Sequence, residues 1–139
     1  MTAKEYLLRY KEANDSKNDI QEELEKLRDE ITQVTAIKSD CEKIKSSGSQ
    51  DPLGDAIVKM ITLEQELYDK IAVRDEIQRE IEYTISQVDD SDLRRILTKK
   101  YILGDRFENI AAEMKKSWRH TLRLHGKALQ EVQKIIEKN

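Results

Sequence analysis

A chain of 139 residues with 38% charged, 37% hydrophobic and 5% aromatic side chains is long enough for one or two small units and too polar for a large compact globule. No apolar run approaches the roughly 18 residues of a membrane span, the first residues hold no secretory apolar core, and the one cysteine, Cys41, excludes an intramolecular disulfide. The net charge of -3 conceals a division, because residues 1–92 carry 13 Lys+Arg against 23 Asp+Glu, a balance of -10, while residues 93–139 carry 12 against 5, a balance of +7.

From Ala3 to about Ile44 apolar residues recur three and four apart: Ala3, Tyr6, Tyr10, Ala13, Ile20, Leu24, Leu27, Ile31, Val34, Ile37 or Lys38, Cys41 and Ile44. This heptad stripe predicts one long helix with a polar gap at Lys17 and a break or frayed turn near Asn14 to Lys17. Glu22 and Lys26 stand in the order that supports a helix at four-residue spacing. Residues 46–55 hold the one proline and two of the four glycines, which predicts a loop. A second stripe follows through Ile57, Met60, Ile61, Leu67, Ile71, Ile81, Ile85 and Val88, interrupted by Glu64, Arg74 and Gln78. Two helices with one stripe each bury little alone, so residues 1–90 are expected to form an antiparallel hairpin, a coiled-coil oligomerisation region separable near Val88. Tyr6, Leu7, Tyr10, Leu63 and Tyr68 lie on or beside its stripe, where a partner chain could cover them. The polar interruptions would then set the register of that pairing.

The segment from Asp89 to Asp92 offers several N-caps for a short helix bearing Leu93, Ile96, Leu97 and Tyr101, which Gly104 ends at a position requiring positive φ. Asp105 and Glu108 have the spacing of a capping box and place the next helix start at Arg106 or Phe107. Ile110, Ala111 and Met114 give that helix an apolar face. Ser117 then caps a last helix whose Thr121, Leu124, Ala128 and Leu129 recur at helical spacing. The fold class that follows is all-α, a long helical hairpin followed over residues 91–139 by a helix-turn-helix. In such a unit the second helix exposes one face to a DNA groove.

The stretch from Leu97 to Leu129 resembles the promoter-recognising region 4 of bacterial sigma factors, in the frame Tyr101, Gly104, Phe107-Glu108, Ile110-Ala111, Met114, Ser117, Thr121, Leu124 and Lys127-Ala128-Leu129. The full layout, with LRRILTKKYILGDRFENIA and RLHGKAL behind a long acidic helical region, is similar to small phage-encoded proteins grouped with late-transcription regulators of the ArpU and RinA kind. Lys115 and Lys116 stand where sigma-type turns carry a glycine and an apolar residue, and Thr121 replaces the usual Val or Ile.

The resemblance implies a phage or prophage regulator of transcription in the cytoplasm of a bacterial host. It would bind double-stranded DNA, self-associate through its N-terminal helices and possess a surface for host RNA polymerase. It places Trp118, Arg119, His120, Leu122 and Arg123 toward base edges. Arg119 and Arg123, one turn apart, are of the residue type that pairs with guanine O6 and N7. Lys99, Lys100, Arg106, Lys115, Lys116, Ser117 and Lys127 suit phosphates. The plain alternative for these cations is a solvated helix face. Trp118 could instead fold over the turn, and Gly126 implies close approach of another helix or a kink. Other functional readings are a packaging protein like a terminase small subunit and a polymerase-binding mimic of a sigma domain. His120 and His125 lie five residues apart, on different sides of a helix, so no metal is expected. No catalytic frame, phosphate loop or cofactor motif occurs.

Overall fold

The computed structural model describes residues 1–40 and 51–139, with side chains over 1–36 and 51–139. Among these residues five α-helices follow in order: α1 (Ala3–Asp40), α2 (Pro52–Ser86), α3 (Ser91–Leu97), α4 (Phe107–Met114) and α5 (Trp118–Lys138), with one π-helical turn at Thr98–Ile102. Among the described residues there is no strand. The protein is all-α, a pair of long packed helices followed by shorter ones.

Helix α1 starts on a capping box with the Thr-x-x-Glu spacing of Thr2 and Glu5. Thr2 Oγ1 accepts from the Glu5 amide at 3.2 Å, while Glu5 Oε2 reaches back to the Thr2 amide at 3.5 Å. No break occurs at Asn14–Lys17, because polar residues lower helix propensity by tenths of a kcal/mol whereas a break requires a proline, a glycine or an inserted group. Helix α2 begins inside the expected loop. Pro52 occupies its first position, where a missing N–H costs nothing, and Asp51 caps it by accepting from the Gly54 amide at 3.0 Å. Residues 52–55 are therefore helical. Expectations for Ile37, Lys38, Cys41, Ile44 and the loop over 46–50 lie outside the described side chains.

Two compact units divide the chain: Met1–Asn14 with Val73–Asn139, and Asp15–Ala72. The ends of the long helices thus group with the C-terminal helices, and the division does not fall at residue 90. In the first unit one core joins Ala3, Tyr6 and Leu7 of α1, Ile81 and Ile85 of α2, Val88, Leu93 and Leu97, Tyr101, and Ala128 and Val132 of α5. The antiparallel sense of α1 and α2 is marked by Tyr6 Oη with Thr84 Oγ1 at 2.8 Å, Arg9 with Glu80 at 2.9 Å, and Arg74 donating to Asn14 at 3.3 Å. The first amide of α1, Ala3 N, donates to Gln133 Oε1 of α5 at 2.7 Å. A helix end that would otherwise carry an unsatisfied donor is thereby tied to the last helix.

In the second unit Leu24, Leu27 and Leu63 are buried, with Ile20, Ile31, Ala56, Met60 and Leu67 packed around them, and Arg28 pairs with Glu64 at 3.0 Å. Tyr6, Leu7 and Leu63 are consequently covered within one chain and are no surface for a partner; they fill the spaces between α1 and neighbouring helices. The polar interruptions likewise have partners in the same chain: Glu64 holds Arg28, Arg74 holds Asn14, Lys17 donates to Gln21 and Gln78 to Glu82. Conversely Ile57, Ile61 and Val34 are exposed, although the spacing placed them on the stripes.

Candidate nucleic-acid interface

Helix α3 is capped by Asp90, whose side chain accepts from the Asp92 amide at 2.8 Å. The Arg94 guanidinium donates to the carbonyls of Val88 and Asp89, which closes the α2–α3 corner. The chain then widens into its π turn, where the Leu103 amide bonds the Thr98 carbonyl at 3.0 Å and the Asp105 amide the Lys99 carbonyl at 2.9 Å. Gly104 follows with φ 73°, the left-handed geometry that a glycine adopts without the Cβ penalty.

Helix α4 starts at Phe107 as the spacing predicts, but Arg106 is its N-cap and makes no side-chain cap bond. The Asp105–Glu108 capping box therefore does not form. Glu108 sits in the first turn, where a carboxylate favours the helix dipole. The turn to α5 hinges on Lys115 at φ 56°. A lysine occupies the place where a glycine fits most easily, and the Lys115 and Lys116 amides bond Ala112 and Ala111 carbonyls at 3.2 and 3.0 Å to hold it.

Ser117 caps α5 by accepting from the His120 amide at 3.1 Å, and the Thr121 hydroxyl donates to the Ser117 carbonyl at 2.9 Å. Thr121 is wholly buried with its polar atom satisfied, which explains how it stands where an aliphatic residue is expected. Ile96, Ile110, Ala111, Ala128 and Val132 are buried as well, and α5 contacts both α3 and α4. One face of α5 is thereby committed to the core and the other is left outward.

On that outward face Arg119, His120, Arg123 and Lys127 are exposed, and Trp118, at the start of the helix, is 53% exposed. Among the described residues Arg119, Arg123, Lys127, Arg106 and Lys115 form no ion pair. Leu122 is half-buried and lies to one side of the arginine face. The remaining expected phosphate contacts are engaged internally: Lys99 pairs with Glu113, Lys116 with Asp92 at 3.5 Å, and the Lys100 ammonium sits 4.5 Å from the Phe107 ring centroid. Ser117 is exposed but occupied as a cap. The structure thus leaves Arg119, Arg123 and Lys127 exposed along α5, while Lys99, Lys100 and Lys116 make contacts within the helices around it. Gln130, exposed one turn beyond Lys127 and Gly126, shares this face. Its seven-residue offset from Arg123 was the signal that could have marked it.

His125 has a structural task. Tyr101 Oη and His125 Nε2 are 2.8 Å apart, their rings stack at 5.7 Å, and Phe107 meets the imidazole edge-on at 4.9 Å. Burial, and then the nearby positive charges of Lys100 and Lys4, lower the His125 pKa, and burial pushes the Tyr101 phenol up to about 12. Because the folded value lies below the unfolded value of about 6.5, the unfolded chain takes up the proton first as pH falls. The stability contributed by neutral His125 is complete above about pH 6.5 and declines below it. Unfolding midpoints in urea should fall as pH is lowered from about 7 toward 5, and His125→Gln should flatten that slope. An equal slope in the variant would assign the effect to other groups.

No group of three or more His, Cys, Asp or Glu side chains converges among the described residues, and no described helix is long and apolar enough to cross a membrane. Compared with family models, curated proteins and solved structures, the chain matches none.

Proposed function

We propose that the protein is a sequence-specific DNA-binding regulator of phage or prophage transcription, acting through α4, the Lys115 turn and α5 in the manner of a sigma region 4 domain. The observation that carries this reading is the outward face of α5, where Arg119, Arg123 and Lys127 stand exposed and unneutralised while the opposite face is buried. An unpaired arginine stripe on a rigid helix matches the acceptor edges of the major groove. Selection of bound duplexes from a random pool should enrich one motif. A pool that stays random would leave a polymerase-binding or packaging role in its place.

Self-association belongs to the same reading, with its surface reassigned. Since Tyr6, Leu7 and Leu63 are buried, the apolar face left for a second copy is the outer side of α2, where Val58, Ile61 and Tyr68 are 64%, 48% and 72% exposed. Light scattering at micromolar concentration should give a dimer or larger, and Ile61→Glu should yield monomer. A monomeric wild-type mass, with and without DNA, would remove this part of the reading.

A further inference from the structure

Gly126 lies in the third turn of a helix that is otherwise well packed, and nothing stands within 4 Å of the Cβ that any other residue would add there. Close approach of another helix therefore does not account for it. A glycine in a helix interior is unfavourable relative to alanine, so the chain carries a cost that no internal contact repays. On the helix surface its neighbours, three and four residues away, are Leu122, Arg123, Leu129 and Gln130. The bare backbone at Gly126 therefore forms a shallow depression on the outward face, with half-buried leucines on one side and exposed Arg123 and Gln130 on the other.

We infer that Gly126 is the point where a DNA sugar–phosphate strand crosses α5, an inference that rests on the DNA-binding reading above. An α-helix with its side chains is about 10–12 Å across and the major groove about 12 Å wide, so a helix that enters the groove has little clearance from its walls. Arg119 and Arg123, near the start of α5, reach the base edges, and the helix must then pass a wall of the groove as it leaves. At Gly126 that wall meets no side chain. The deoxyribose packs on Leu122 and Leu129, and the phosphate lies within reach of Lys127 and Gln130. The footprint accordingly extends over about 12 residues or roughly 18 Å of α5, beyond the first two turns that the arginines define.

The test compares full-length wild type, Gly126→Ala, Gly126→Gln and the control Ala72→Gln, an exposed site on α2 in the other unit. Each is melted and titrated by fluorescence anisotropy against a mixed-sequence DNA duplex several helical turns long. Both Gly126 variants should unfold at the wild-type temperature or above, since each adds a better helix former in open space. Affinity should fall about tenfold or more for Gly126→Gln and less for Gly126→Ala, with Ala72→Gln unchanged. Wild-type affinity in Gly126→Gln would overturn the contact and leave DNA binding intact. A lowered unfolding temperature in that variant would also overturn it, by exposing an internal role for the glycine. Wild-type protein that leaves the duplex free would remove the DNA-binding reading and this contact together.

Discussion

Arg119→Ala and Arg123→Ala are each expected to cost about 1–3 kcal/mol of binding on the preferred DNA site and much less on unrelated sequence. The two side chains are one turn apart on an exposed face of α5, neither is tied to a carboxylate among the described residues, and the helix beneath them is anchored by buried Thr121, Ala128 and Val132. A guanidinium presenting two parallel donors discriminates guanine because the wrong base leaves a donor unpaired in the groove. Lys127→Ala should behave otherwise, weakening every sequence alike and lowering the salt dependence by about one released counterion. Competition titrations with specific and scrambled duplexes separate the two. Equal losses on both duplexes would reduce the arginines to phosphate contacts.

Leu97→Ala should destabilise the first unit by about 2–5 kcal/mol and do so on both sides of the residue in sequence. Leu97 is fully buried in a core that also holds Leu7 of α1, Ile81 of α2 and Val132 of α5, so a cavity there deprives all four elements of contacts. The Tyr6–Thr84 and Ala3–Gln133 hydrogen bonds cross the same region and should loosen with it. Hydrogen exchange checks this directly. Amides over residues 3–14, 75–86 and 118–132 should lose protection together. Loss confined to residues 91–139 would mean that the hairpin is autonomous to its base, as the change of charge near residue 92 implies.

Helix existence and type were legible because spacing of three and four residues, with few glycines and one proline, admits no other regular structure. The Ser117 cap, the positive φ at Gly104 and the start of α4 at Phe107 were legible too, since each is a local consequence of one residue's chemistry. The exposed arginine pair on α5 followed from the same local reasoning. Local rules also misled in places. The Asp105–Glu108 spacing makes a capping box only if the backbone places Asp105 at the N-cap, and the bond from its amide to Lys99 directs that residue elsewhere.

What the sequence by itself determined is therefore the set of helices, their ends within a few residues, the separation of acidic from basic charge, and the outward basic face of α5. Only the tertiary structure decided which of several apolar residues on a helix are covered. Leu7 and Leu63 are buried while Ile61 and Val58 are not, a choice set by where neighbouring helices pass. It also decided that the ends of α1 and α2 belong with the C-terminal helices, that Lys99 and Lys116 brace those helices, and that Gly126 faces open space. Periodicity specifies a face of a helix, but burial depends on contacts between residues as far apart as Ala3 and Gln133, and no short-range pattern encodes those.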